Sequence, residues 1–407
     1  MAPPASHIVA SAVARDRRRQ SLLAWALVGP AALYLVIAFL LPICSILFTA
    51  VGNGGVAHLM PQMSAAIGAW GNAEPPSDEV ANALIGDLRA VDRGEVAAVS
   101  RDLNTQKAGF RSLLIKTRDA VGNDQTIAGV AGLTAIDPRW ADKSYWITLQ
   151  RASARFTSYF ILSALDLRKD ASGSLAVAEP QRRVYLQFLW RTFGICAAVT
   201  AICALLAYPT AYFISHAGPR LQKLLLFALL IPFWTSVLVR TAAWVIVLQR
   251  EGLLNEALMG TGLISDPLTM IYNRFGVFVA MSHVLLPFMV LPIYSVMKGI
   301  NPHYVRAALS LGANPIAAFI QVYLPLSLPG LSAGSVMVFM LGLGYYVTPA
   351  LVGGATDQME SGLIANFALG EANWQMAAAV SLVLLFVTLV IFLVLRKLLR
   401  VSNLSIG

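Results

Sequence analysis

Six apolar runs, each about twenty residues or longer, decide what this chain is able to fold into. They occupy 22–51, 188–214, 224–248, 275–297, 331–352 and 376–395. A hydrocarbon layer roughly 30 Å thick is crossed by about twenty apolar residues in a helix. In lipid a helix also satisfies its own backbone donors and acceptors. The 407 residues are 57% hydrophobic and only 13% charged, more apolar than a soluble chain buries. The reading is an all-α membrane protein with about six transmembrane helices.

The formal net charge of +9 would suit nucleic acid in a soluble protein. Here the basic residues mark span ends instead. Arg15, Arg17, Arg18 and Arg19 precede the first run; Arg220 and Lys223, Lys298 and Arg306, and Arg396, Lys397 and Arg400 flank later ones. The short opposite loops carry Arg250 and Arg274. Basic residues stay on the cytoplasmic side of short loops. This bias places both termini inside, with membrane lipid and no nucleic acid as partner. Residues 1–20 are a cytoplasmic tail and 21–51 a retained first span, too long for a signal-peptide core. Pro30 and Pro42 are expected to kink it.

Composition changes abruptly over 52–184. Glu74, Asp78, Glu79, Asp87, Arg89, Asp92, Arg93 and Glu95 mark a solvated region. Leu84, Leu88 and Val91, then Phe110, Leu113, Leu114 and Thr117, recur at helical spacing. The region reads as a mostly helical extracytoplasmic domain, either a prop for the outer face or a docking surface for a soluble partner. The membrane permease core is then 185–400.

Ionisable groups within spans are few: Arg191, Arg240 and His283. Such groups are functional suspects. Arg240 is read as snorkelling to the outer interface rather than meeting solute, and His283 as hydrogen-bonding a neighbouring helix. No Asp or Glu lies well inside a span, so the chain is read as supplying no core carboxylate. That weighs against an ion-coupled carrier. Cys44, Cys196 and Cys203 read as small core residues without a disulfide. Gly330 and Gly334 form a small-xxx-small helix contact.

The stretch 301–330 lies between two runs, with Pro302 at one border and Pro325 and Pro329 at the other. It reads as a helix over 304–311, Gly312 just past its end, and a second helix with Asn314 as N-cap and Pro315 at N1. Ile316, Phe319, Ile320 and Tyr323 form its apolar stripe. Such an elbow packs on its own protein or is covered by a partner.

The spacing Ala307-Ala308, Gly312-Ala313, Phe319, Leu324-Pro325 resembles the cytoplasmic coupling loop of ABC importer permeases, with Arg306 where that family has glutamate. The resemblance extends through IPFWTSVLVRTAAWVIVL (231–248), EGLLN (251–255), YNRFGVFVAMSHVLLPFMVLPIY (272–294) and GYYVTPALVGG (344–354) to the spermidine/putrescine-type, PotB/PotH-like branch of the type I importers. Some relatives carry an acid where this chain has Tyr345. The resemblance implies a MetI-like arrangement of the spans, with the extracytoplasmic insertion between the first and second helices. It implies an inner-membrane permease subunit that moves a small polar solute, foremost a polyamine, by ATP-driven alternating access. Permeases for opines, amino-acid derivatives or phosphonates are the near alternatives. The implied partners are an ATP-binding-cassette ATPase dimer, a second, non-identical permease, and a periplasmic or lipid-anchored solute-binding protein. Arg306, Ala307, Ala308, Gly312, Ala313 and Phe319 would couple to the ATPase. Trp234, Tyr345, Tyr346 and Asn366 would line the pathway.

The chain has no G-x-x-x-x-G-K-[ST] motif to cradle ATP phosphates. It is therefore read as no enzyme, with no catalytic residue, metal or cofactor, and hydrolysis falls to a separate subunit. A stand-alone channel or carrier, and a membrane sensor using 52–184 as receptor, are the rival readings.

Overall fold

The computed structural model describes residues 5–52, 54–71, 76–169 and 174–398. The chain divides into two compact units, 1–157 and 158–407.

The first unit opens with α1 (Ala5–Val51), which begins inside the segment read as a polar tail and carries Pro30 and Pro42. Its Ala24–Val51 portion is long and apolar enough to cross a membrane. The side chains of Arg15 to Arg19, and those of Arg396, Lys397 and Arg400, lie outside the described residues, so the charge bias at the two ends has no structural counterpart.

Among the described residues, seven α-helices follow in the same unit: α2 (Gly54–Leu59), α3 (Pro61–Ile67), α4 (Asp78–Ala90), α5 (Arg93–Gln106), α6 (Phe110–Asn123), α7 (Gly129–Ile136) and α8 (Lys143–Ser153). Leu84, Leu88, Phe110, Leu113 and Leu114 close a common core with Trp140 and Trp146, as their helical spacing predicts. Several polar atoms in this core are paired. Trp140 Nε1 donates to Thr117 Oγ1 at 2.8 Å, and Trp146 Nε1 to the Trp140 carbonyl at 2.8 Å. Buried Asp87 accepts from the Met63 N–H at 2.8 Å. Asp142 caps α8 by accepting from the Ser144 N–H.

The second unit starts before residue 185. Helix α9 (Tyr159–Ala164) and a two-stranded antiparallel hairpin, β1 (Leu167–Lys169) with β2 (Leu175–Val177), precede α10 (Tyr185–His216). The first unit thus stops at Thr157, because α9 packs on α20 (Trp374–Leu398).

The membrane-length helices of this unit are α10, α14 (Arg274–Gly299), a continuous helix over Pro315–Leu343, and α20. Among the described residues, with α1, that makes five, or six if one broken pair counts as a span. The broken pair corrects the run at 224–248. Helix α11 (Pro219–Leu230) passes through a 3-10 turn, Ile231–Trp234, and stops. After a bend of 98° the chain resumes as α12 (Val237–Leu248), and α13 (Leu253–Gly260) follows. Pro232 removes a backbone donor at the break, and Ser236 restarts the helix by accepting from the Leu238 N–H.

The 331–352 run is corrected too. Helix α15 (Pro302–Ser310) is followed by α16 (Pro315–Ala318), a π-helical turn over Phe319–Tyr323, and α17 (Leu324–Leu343). Pro325 and Pro329 lie inside this continuous helix rather than at a border. The wider turn explains the tolerance: the Leu324 N–H reaches back five residues to the Phe319 carbonyl, so the ladder is already reset where the proline lacks a donor. After α17 come α18 (Val347–Val352), α19 (Glu360–Ala365) and a second π turn, Asn366–Gly370.

The core of the unit is α14 against α17 and α10. The expected glycine contact forms here. A Cβ on Gly334 would stand 2.8 Å from Met289 Sδ, so the bare backbone is what lets α17 close on α14.

Candidate functional site

The elbow takes the form its residues dictate. Helix α15 is capped at its start by Asn301, which accepts from the His303 N–H. It ends in a double bond pattern: Gly312 N–H to the Leu309 carbonyl at 3.1 Å, and Ala313 N–H to the Ala308 carbonyl at 3.1 Å. That is a Schellman stop, and it needs a left-handed residue between. Gly312 supplies it at φ +94°. Asn314 then starts α16 by accepting from the Ala317 N–H at 2.7 Å, with Pro315 at N1.

No residue of α15 is buried. Arg306 and Ala307 are exposed, and Ala308 and Ala313 half-buried. Arg306 Nη2 lies 3.4 Å from His303 Nδ1. Leu311 is 90% exposed, and Ile316 and Ile320 are also open. The π turn divides the expected stripe. Ile316 and Ile320 face out. Phe319 and Tyr323 turn inward, stacked on each other at 5.7 Å between ring centroids. Both meet Tyr212 edge-on, at 5.8 and 5.3 Å, and Tyr208 meets Phe319 at 6.3 Å. Tyr208 Oη and Ser327 Oγ are 2.7 Å apart. Phe319 therefore fastens the elbow to the end of α10.

The pathway candidates do not form one cluster. Trp234 is 71% exposed at the helix break, its ring against Phe227 at 5.3 Å. Asn366 is exposed and bonds Glu371 within its own turn. Tyr346 is exposed beside half-buried Tyr345, whose carbonyl accepts from Ser361 Oγ at 2.7 Å.

What converges instead is a set of polar groups tying α12, α14 and α18 together. Thr241 and Thr348 hydroxyls lie 3.2 Å apart. Trp244 Nε1 donates to His283 Nδ1 at 3.2 Å, the interhelical bond expected of His283. Arg240 Nε is buried without a partner.

One residue escaped the sequence reading. Glu360 is 1% exposed, its N–H donates to Thr192 Oγ1 at 2.7 Å, and its Oε2 is the one buried carboxylate oxygen without a partner among the described residues. Burial pushes its carboxyl up to about 8. The statement that no carboxylate enters the core is thereby corrected. Glu360 lies between apolar runs, so span-by-span inspection passes it over; only the packing of α19 on α10 and α20 buries it. Neighbouring Asp357 is buried too, but Arg274 pairs with it at 3.0 Å.

Residues 190–401 match the family described as the binding-protein-dependent transport system inner membrane component. The spermidine/putrescine transport system permease protein PotB of Haemophilus influenzae is 34% identical over 199 residues, covering 49% of this chain and 70% of that one. PotB of Escherichia coli is 32% identical over 220 residues, covering 54% and 80%. A solved bacterial ABC transporter involved in the import of the acidic polysaccharide alginate is similar at a TM-score of 0.45 and 18% identity, over 54% of this chain and 80% of that one. The protein is a multi-pass inner-membrane permease and belongs to the binding-protein-dependent transport family, on its PotB-like branch of ABC importer permeases.

Proposed function

We propose that the chain forms part of the translocation pathway for a small polyamine, driven by a separate ATPase that pushes on the elbow at 301–323. The observation that carries this is the exposed apolar face of the elbow. Leu311, Ile316 and Ile320 stay uncovered while Phe319 and Tyr323 anchor the same segment to α10. A lever needs one free face and one fixed one. Movement of α15 and α16 would pass through the π turn into α17, and from α17 into α14, as a rigid-body change between inward- and outward-facing states.

This reading puts both termini and the elbow in the cytoplasm and 52–184 outside. It requires an ATPase dimer, a second permease and a solute-binding protein. Arg306, Ala307, Ala308, Gly312, Ala313 and Phe319 are the coupling residues. Trp234, Tyr345, Tyr346 and Asn366 are pathway residues. A polyamine suits Glu360, since an ammonium group is the partner a buried carboxylate lacks.

Gly312→Trp tests the lever. Its backbone conformation disfavours any side chain. Membrane insertion is expected to persist while ATP-dependent polyamine uptake and ATPase association are lost. Normal uptake by this variant in proteoliposomes removes the assignment.

A further inference from the structure

A cavity of about 480 Å³ lies under the elbow, walled by the last turn of α10, the last turn of α14 and the helices α15 and α16. Its lining combines aromatic and apolar side chains (Tyr212, Met297, Phe319) with His216 and two cationic side chains, Lys298 and Arg306. No acidic residue lines it, and none occurs in sequence between Arg274 and Asp357. The Tyr323 side chain also lines it and is more than nine-tenths buried. The adjacent Ser215 hydroxyl donates to the Tyr212 carbonyl at 2.8 Å and keeps its oxygen free to accept from Tyr323.

Position narrows the occupant. Helix α10 ends at His216, α14 at Gly299, and the membrane-length helix Pro315–Leu343 begins here. Three span ends meeting at one cavity place it where hydrocarbon gives way to lipid head groups. Basic pockets between spans at that depth suit anionic head groups.

We propose that this cavity binds one anionic phospholipid, its phosphate held by Lys298 and Arg306 and its acyl chain lying along Met297 and Phe319. The bound lipid wedges the elbow against α10 and α14, so its presence biases the lever's position. Binding of the lipid does not depend on which solute is carried.

The test is native mass spectrometry of the intact chain, delipidated in detergent and titrated with phosphatidylglycerol or with phosphatidylcholine of the same acyl chains. One phosphatidylglycerol is expected to be retained in preference to phosphatidylcholine. The Lys298→Gln/Arg306→Gln double variant is expected to bind it on the order of 30-fold more weakly, each charge being worth roughly fivefold. The Arg220→Gln/Lys223→Gln variant, which removes the same charge outside the cavity, is expected to retain it. A benzophenone-tailed phosphatidylglycerol is expected to label the peptide holding Met297 or Phe319. Equal retention of both lipids, or equal loss in both double variants, overturns the proposal. So does sn-glycerol 1-phosphate binding as tightly as the lipid, which would make the ligand a soluble anion.

Discussion

Gly330 lies so close to Ile293 that a Cβ placed on the glycine would stand 2.9 Å from the Ile293 Cα, and equally close to the Pro292 carbonyl oxygen. Both neighbours are backbone atoms, which do not swing aside as a side chain does. Gly330→Leu is therefore expected to force α17 off α14, at a cost of about 1–3 kcal/mol. A thermal melt of the detergent-solubilised full chain reads this as a lower midpoint, whereas a leucine at Gly29, with open space around it, leaves the midpoint unchanged.

Glu360 gives the second unit a pH dependence of defined sign. Its folded carboxyl, pushed up to about 8 by burial, takes up protons more readily than in the unfolded chain. The stabilising contribution is full below the ordinary glutamate range, near 4.5. It falls as pH rises, and is lost once pH passes about 8. Glu360→Gln carries no such charge. Melting midpoints at pH 6 and pH 9 are expected to differ less in the variant than in the wild type. An unchanged difference means the carboxyl has a counter-charge.

Thr117→Val tests the first unit. Valine keeps the shape but removes the acceptor of Trp140 Nε1, which is fully buried. The loss is expected to be about 1–3 kcal/mol, the cost of leaving a buried donor unsatisfied. Urea unfolding of the full chain, followed by tryptophan emission, checks it, since the Trp140 and Trp146 rings meet at a tilt with centroids 4.8 Å apart in that core.

Phe319→Ala separates anchoring from docking. It removes the ring that meets Tyr208, Tyr212 and Tyr323, yet leaves Leu311, Ile316 and Ile320 in place. ATPase association, read by co-purification, is expected to persist while ATP-dependent uptake drops severalfold. Uptake at the wild-type level would show that the elbow transmits force by another route.

The parts of the fold that follow from local rules were legible in the sequence: the apolar runs, the Gly312 stop, the Asn314 cap, the spacing of Gly330 and Gly334, and the helical periodicity around Leu84 and Phe110. What was not legible depends on the wider frame. A π turn uses the same residue types as an α turn, so the outward placement of Ile316 and inward placement of Phe319 could not be read from spacing. The 98° break between Trp234 and Val237 was hidden because the apolar run continues through it. Glu360 was hidden because its burial comes from helices distant in sequence.

The π turn at Phe319–Tyr323 has one more consequence. One residue more or less in a helix rotates everything beyond it by about 100°. Deleting a single residue from this turn would restore an ordinary winding and swing α15 and α16 about a quarter of a circle around the axis of α17. Their greasy outer face would then point in a new compass direction, and the ring contacts of Phe319 and Tyr323 with Tyr212 would be lost. The phase of the lever is thus written in the length of five residues rather than in their identity.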